Sequence, residues 1–470
     1  MKEKFIKSLS QNLPYTPTQD QAIVMAKLVT FVFRAVGREV FLLKGYAGTG
    51  KSSLVGALVK TLSQYSMKSV LLAPTGRAAK VFGLYANTPA YTIHKKIYRQ
   101  KSFSPDMTGF TLTDNRHKQT LFIVDEASMI ASSSDASSDL LSDLIEYVYS
   151  SPGCKLVLIG DTAQLPPVGQ PNTPALEPKV LEDYLLKVTE VTLTEVIRQS
   201  LTSGILYNAT QLRKMMQDDF LSTPKLEVQH FPDIKNITGY DLIEELESAY
   251  TRDGKDQTII VTRSNKRANI FNEGVRNRIL YREEELESGD LLMIAKNNYY
   301  WGEKIEEIDF IANGDVAQVL RVRGYNEMYG FRFADVTLRM LDYDVDIDAK
   351  IILDTLHLEY PSLTPELNNQ LFTKVMEDYS DVRTKRERVK RVKLDKWFNA
   401  LQVKYAYAVT CHKAQGGQWQ NVFIDMGNIS EDAVNLDFFR WLYTAFTRAT
   451  DKLYLINTPK HFLKDSDAEL

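Results

Sequence analysis

Cysteine is nearly absent: 470 residues hold two, Cys154 and Cys411, far apart and outside any CxxC or Cys/His ligand spacing. A disulfide framework and a zinc site are therefore not expected. The scarcity suits a reducing cytoplasm, where the protein is expected to stay. Long apolar runs are also lacking. The best, Ala22 to Phe33, is broken by Lys27 and falls short of the roughly eighteen residues a bilayer span needs, so no membrane partner is expected. Met1-Lys2-Glu3-Lys4-Phe5 carries neither an apolar signal core nor an Arg/Ser-rich transit pattern. Neither sign of charge is in large excess. With a net charge of −3, a polyanionic partner would have to be met by local basic tracks rather than by a coat of lysine and arginine. No paired-carboxylate constellation of the nuclease kind is visible.

What is present is enough for two or more soluble domains, given 470 residues that are 44% hydrophobic and 25% charged. From Val40 to Glu195 apolar strands alternate with helical patterns: Val40–Leu43, Val70–Ala73, Leu121–Val124, Leu156–Ile159 and Val188–Leu193 read as strands. This alternation predicts a parallel sheet covered on both faces, with ligands at the carboxyl ends of its strands. The polar motifs sit at such ends.

The first motif, Gly45-Tyr46-Ala47-Gly48-Thr49-Gly50-Lys51-Ser52, separates a strand from a helical stretch that continues through Ser53. It fits a phosphate-cradling loop. Backbone N–H groups and Lys51 hold the β- and γ-phosphates of ATP, and the Ser52 hydroxyl takes Mg2+. The second, Asp125-Glu126, ends another apolar strand and supplies a metal-binding carboxylate in Asp125 and, in Glu126, a group to orient or deprotonate water. Together they predict nucleotide hydrolysis.

A second alternating block opens at Thr258–Thr262 and resumes at Tyr405–Thr410, Val422–Asp425 and Lys452–Ile456. Between them, Asn313-Gly314-Asp315 begins period-2 alternation that runs to about Leu358, which reads as a small antiparallel barrel inserted into a second α/β domain. A long arm from Pro365 to Phe398 follows, with a basic run at 383–396. In the first block, turn residues between Phe103 and Phe110 suggest a projecting hairpin.

Taken in order, the motifs resemble the RecD/Dda-like branch of superfamily 1 (subgroup B) DNA helicases, with PIF-type enzymes as relatives. Tyr15 to Ala22 resembles the adenine-reading Q element, with Gln19 at its Gln. Ala73-Pro74-Thr75-Gly76-Arg77 looks like motif Ia, and Thr92-Ile93-His94 like the signature after it. Gly160-Asp161-Thr162-Ala163-Gln164-Leu165-Pro166-Pro167 resembles motif III, Val196-Ile197-Arg198-Gln199 motif IV, Thr410 to Gln418 motif V, and Tyr443 to Ala449 motif VI.

The resemblance implies two RecA-like P-loop domains with parallel sheets, a β-hairpin pin in the first and an SH3-like β-barrel in the second. The first would take residues 1–200, with the pin at about 95–120; the second 201–300 and 400–470; the barrel and arm 301–399. It implies ATP contacts at Gln19, Gly45, Gly48, Thr49, Gly50, Lys51, Ser52, Ser53 and Gln415, and Mg2+ at Ser52 and Asp125. Gln164, Arg198 and Arg448 would complete the catalytic set with Lys51, Asp125 and Glu126, the two arginines reaching the γ-phosphate only when the domains close. DNA contacts would fall to Pro74, Thr75, His94, Phe103, Phe110, Asn265, Thr410 and His412. Phe82, Tyr98 and Trp419 are open to base stacking or to core packing.

The implied activity is ATP-driven 5′-to-3′ movement on single-stranded DNA and unwinding at single/double-strand junctions by a monomer. A single-stranded-DNA-binding protein or replication and repair factors are candidate partners. The alternative is an ATPase and DNA-binding accessory subunit of a nuclease or repair complex. RNA stays open as a track.

Overall fold

The computed structural model describes residues 1–100, 110–132, 139–197, 202–218, 221–302, 310–430 and 433–464. Strands β1 (Glu39–Gly45), β2 (Lys68–Ala73), β3 (Ala90–Thr92), β6 (Thr120–Val124), β7 (Lys155–Gly160) and β8 (Lys187–Leu193) form one parallel sheet in the order β3-β2-β6-β7-β1-β8. A short antiparallel pair, β4 (Tyr98–Gln100) and β5 (Phe110–Leu112), projects between β3 and β6.

The strand residues are apolar almost without break because both faces are covered. Phe41, Leu43, Leu71, Ile123, Val157 and Ile159 enter one core cluster, and their neighbours Val40, Leu42, Val70, Leu72, Phe122, Val124, Leu156 and Leu158 enter the other. Alternate side chains thus face helices on opposite sides, as the pleat dictates.

A second parallel sheet runs β16-β10-β17-β18-β9, from β9 (Ile234–Ile237) and β10 (Thr258–Thr262) to β16 (Ala408–Thr410), β17 (Trp419–Asp425) and β18 (Ala449–Ile456). Between β10 and β16 the chain builds a closed five-stranded barrel of β11 (Leu291–Ile294), β12 (Val316–Met328), β13 (Phe331–Met340), β14 (Val345–Ile352) and β15 (Leu401–Tyr405). The fold is therefore α/β, two RecA-like parallel sheets with a hairpin insertion in the first and a small SH3-like barrel in the second.

The barrel extends beyond the 301–399 segment on both sides. Closing a barrel requires a strand to pair each open edge, and β11 and β15 are recruited for that: β15 pairs antiparallel with β11 and parallel with β14. The apolar run expected as one strand from Tyr405 to Thr410 is consequently divided between barrel and sheet. Ala406 and Tyr407 make the corner, where the buried Tyr407 hydroxyl donates to Asp290 Oδ1 at 2.9 Å and Asn272 Oδ1 accepts the Tyr407 and Ala408 N–H groups at 3.0 and 2.8 Å. The arm, with helices Pro365–Glu377 and Lys385–Lys393, packs Leu371, Val375 and Val392 against Phe331 and Phe333 of the barrel.

Candidate nucleotide site and nucleic-acid interface

β1 runs straight into the loop Gly45–Ser52. Gly48 and Gly50 adopt φ of 77° and 79°, a left-handed conformation that glycine takes without penalty. Space closes in on Gly50 as well, because a Cβ there would sit 2.6 Å from Gln21 Nε2. Gly50 is also the N-cap of helix Lys51–Gln64, and among the described residues that helix has no side-chain cap. Its unsatisfied N–H groups and the helix dipole are left to an anion. Lys51 Nζ lies over the loop, donating to the carbonyls of Gly45 (2.6 Å) and Tyr46 (2.8 Å). The buried Thr49 donates to Tyr46 O at 2.8 Å, while Ser52 and Ser53 sit half-buried in the first helical turn.

Gln21 was not singled out by the sequence, yet it is fully buried and its Nε2 donates to Thr49 O at 3.0 Å and to the Tyr15 hydroxyl at 3.2 Å. It also closes a capping box with Thr18. The available signal was Thr18-x-x-Gln21 before an apolar helix, which marks a helix start. Gln19 is exposed and lines a cavity of about 690 Å³ with Tyr15 to Thr18 and Glu195 to Ile197, beside the phosphate loop.

Strand order places β7 between β6 and β1, so the Asp161–Gln164 turn that follows β7 lies between Asp125-Glu126 and the phosphate loop. Burial, then the adjoining Glu126, push the Asp125 carboxyl up to about 7. A negative charge disfavoured in this way is one that a cation would relieve, so Asp125 and the helix-turn Ser52 fit Mg2+. Glu126 is held at φ 51°, a strained backbone of the sort found at functional sites. Gln164 is buried with its Oε1 unpartnered among the described residues, an acceptor facing no donor in this state.

The second sheet closes over this edge. Arg448 is 3% exposed; its guanidinium donates to Thr444 O, Gly417 O and Thr447 Oγ1 and stands 3.9 Å from Glu126 Oε1. Gln415 Nε2 donates to Leu165 O at 2.8 Å, and Leu165 N–H donates to Thr444 Oγ1 at 2.9 Å. Arg198 lies outside the described residues, as does Phe103; of Phe110 only the backbone is described.

The candidate DNA contacts fall at carboxyl ends of both sheets. Pro74 and Thr75 follow β2, His94 lies on helix Ile93–Ile97 after β3, Asn265 opens the helix after β10, Thr410 ends β16 and His412 follows it. Pro74 and His94 share a cavity of about 830 Å³ with Asn297 to Tyr300 and Phe310, leading from the barrel, and with Lys393 and Asn399 from the arm. Thr75, Asn265, Thr410 and His412 do not line it, and Thr75 already caps helix Gly76–Ala86 by accepting from Ala78 N–H. A second groove of about 500 Å³ continues past His94, Tyr299 and Phe310 along Lys95, Lys96, Arg99 and Arg116 to the base of the hairpin. The aromatic side chains Phe82, Tyr98 and Trp419 are core residues, 3%, 9% and 3% exposed. Trp419 is covered by the Arg77 guanidinium at 4.0 Å from its ring centre, whereas Tyr98 keeps an edge on the second groove.

Among the described residues no helix is long and apolar enough to cross a membrane. Residues 18–223 match the AAA domain family and residues 405–456 the UvrD-like helicase C-terminal domain. The chain is 25% identical to the ATP-dependent RecD2 DNA helicase of Deinococcus radiodurans over 93% of its length, but spans only 48% of that protein. It is 24% identical to the RecBCD enzyme subunit RecD of Buchnera aphidicola, covering 90% of this chain and 71% of that one. It is 21% identical to an uncharacterised protein of Acanthamoeba polyphaga mimivirus, covering 92% and 98%. Pif1 helicase from Bacteroides in complex with ADP-AlF3 and ssDNA aligns with a TM-score of 0.48 at 16% identity, over 96% of this chain and 95% of that one. With an AAA domain match followed by a UvrD-like helicase C-terminal domain match, and RecD-type proteins aligned along most of its length, the chain is similar to the RecD-type helicases.

Proposed function

We propose that the protein is an ATP-dependent DNA helicase that moves 5′ to 3′ on single-stranded DNA and opens duplex at junctions through closure of its two RecA-like domains. The observation that carries this is the convergence of two sheet edges on one site: the uncapped helix behind Gly50 and the Asp125-Glu126 pair from the first, and the buried Arg448, 3.9 Å from Glu126, from the second. A small-molecule kinase needs no such second sheet.

Lys51 and the loop N–H groups would hold the β- and γ-phosphates, Gln19 the adenine edge, and Ser52 and Asp125 the Mg2+ ion, which neutralises phosphate charge when bound. Glu126 orients or deprotonates the attacking water. Arg448, with Arg198, stabilises charge on the transferred phosphoryl group, a contribution worth about 10³–10⁵ in rate for such arginines. Gln164, whose acceptor is unpartnered among the described residues, is suited to sense the γ-phosphate. DNA passes across Pro74 and His94, where contacts to phosphates position without reading sequence. The hairpin on β4 and β5 serves as the pin. The domain limits above are part of this proposal, with the barrel extended to β11 and β15.

The test is ATP-driven separation of two otherwise identical duplexes, one with a 5′ tail and one with a 3′ tail, with Lys51→Ala as the inactive control. Unwinding of only the 5′-tailed duplex by the wild type is expected. Activity on the 3′ tail alone overturns the direction, and DNA-stimulated ATPase without unwinding of either favours the accessory-subunit reading.

A further inference from the structure

Tyr443 lies on helix Leu436–Phe446 of the second domain, 1% exposed. Its hydroxyl donates to Asp161 Oδ2 at 2.6 Å and accepts the Ala47 N–H at 2.9 Å. Both partners belong to the first domain: Ala47 is in the phosphate loop, and Asp161 opens the turn that carries Gln164. Asp161 is itself oriented, since its Oδ1 accepts the Ala163 N–H at 2.9 Å. Burial raises the Tyr443 hydroxyl's pKa well above its ordinary value, so the group stays protonated and keeps one donor and one acceptor direction. Both are used.

One hydroxyl from the second domain is thus inserted between two segments of the first that flank the phosphate site. The neighbouring bonds from Thr444 and Gln415 to Leu165 hold the same turn, but neither reaches the phosphate loop. Tyr443 alone among these three touches both segments. We propose that Tyr443 is a positioning residue that couples domain docking to the phosphate loop, with Asp161 as its fixed partner. This inference rests on the nucleotide-driven reading above.

The physical argument is linkage. The two hydrogen bonds exist only while the helix carrying Tyr443 is seated on the first domain, and they fix the loop's Ala47 and the Gln164-bearing turn in one arrangement. DNA that spans both sheet edges favours the seated state and thereby the ordered loop. By reciprocity, nucleotide in the loop favours the seated state and tighter DNA binding. Without the hydroxyl, the domains can still meet through Thr444, Gln415 and Arg448, but the loop no longer senses that they have.

The experiment titrates a non-hydrolysable ATP analogue into the full chain with and without a single-stranded oligonucleotide, for the wild type, Tyr443→Phe, Asp161→Asn and the double variant. In the wild type DNA is expected to tighten nucleotide binding about fivefold or more. In Tyr443→Phe that ratio falls to within about twofold of unity, and the double variant matches it, because the two side chains act through one contact. A merely structural role would weaken binding equally with and without DNA, leaving the ratio at its wild-type value, and that result overturns the inference. If Tyr443→Phe does not fold, Asp161→Asn alone must lower the ratio. Wild-type nucleotide binding that is indifferent to DNA rejects the coupling only, whereas a wild type that binds no nucleotide rejects the nucleotide-driven reading and the coupling with it.

Discussion

The two parallel sheets are built alike but finish their helices differently. Helix Asn265–Gly274, which follows β10 of the second sheet, is capped by Ser264, whose side chain accepts from Arg267 N–H. Helix Lys51–Gln64, which follows β1 of the first, has Gly50 at its N-cap and no side-chain cap. In one case the chain satisfies one of its own first-turn N–H groups with a side chain; in the other it leaves them for an anion. The difference teaches that a phosphate site is made as much by withholding a cap as by adding a lysine. The second sheet instead contributes to the site from its far end, through Arg448 after helix Leu436–Phe446.

The comparison can be tested hardest at the charges. Lys51→Ala and Arg448→Ala, one from each sheet, should each lower DNA-stimulated ATP turnover by about 10³-fold while far-UV circular dichroism stays native. Retention of activity within tenfold by Arg448→Ala would confine the chemistry to the first sheet. The caps come next. Gly50→Ala, strained at φ 79° and crowded by Gln21, should raise the ATP KM at least about tenfold, or some 1.4 kcal/mol of lost binding. Ser264→Ala should cost about 1 kcal/mol of stability by denaturant melting and leave that KM unchanged. A KM effect from Ser264→Ala would erase the contrast between the two helices.

A third test addresses the seam where the first domain meets the barrel. Asp315 is 1% exposed with Oδ1 unpartnered among the described residues, and a Cβ on Gly76 would come within 2.6 Å of that oxygen. Burial pushes this carboxyl up to about 7. The folded protein therefore holds a proton that the unfolded chain releases above about pH 4, and stability is greatest below that value and falls as pH rises towards about 7. Asp315→Asn should remove this dependence, gaining about 1–3 kcal/mol over the wild type at pH 8 and little at pH 4.5. Thermal melts at the two pH values check it, and a difference that grows at acid pH would reverse the assignment. The smallest effect concerns the basic helix Lys385–Lys393, whose last residue lines the cavity beside His94. Lys393→Gln should weaken DNA binding several-fold and reduce the salt slope by about 1. An unchanged slope would mark that residue as solvated surface.

Local signals were legible wherever chain neighbours carry the meaning. The phosphate loop, the Asp125-Glu126 strand end and the five strands of the first block follow from residue order alone, because a strand-loop-helix unit is read in one direction over a few residues. The run from Tyr405 to Thr410 was not legible in the same way. Its apolar pattern is continuous, and only closure of the barrel by β15 cuts it at Ala406-Tyr407. Phe82 and Trp419 show the same limit, since an aromatic residue near a strand end suits a base or a core equally until burial is known.

By itself the sequence determined the chemistry of the first domain: a glycine loop with a lysine and serine, a carboxylate pair, and strands apolar enough to be buried on both faces. These depend on spacing along the chain, which covalent geometry preserves. Only the tertiary structure decided which partners those groups meet. The contact of Tyr443 with Asp161 joins residues 282 apart in sequence, and that of Gln415 with Leu165 joins residues 250 apart. Such contacts arise where one sheet packs against the other, and no periodicity within either sheet records how it will be placed.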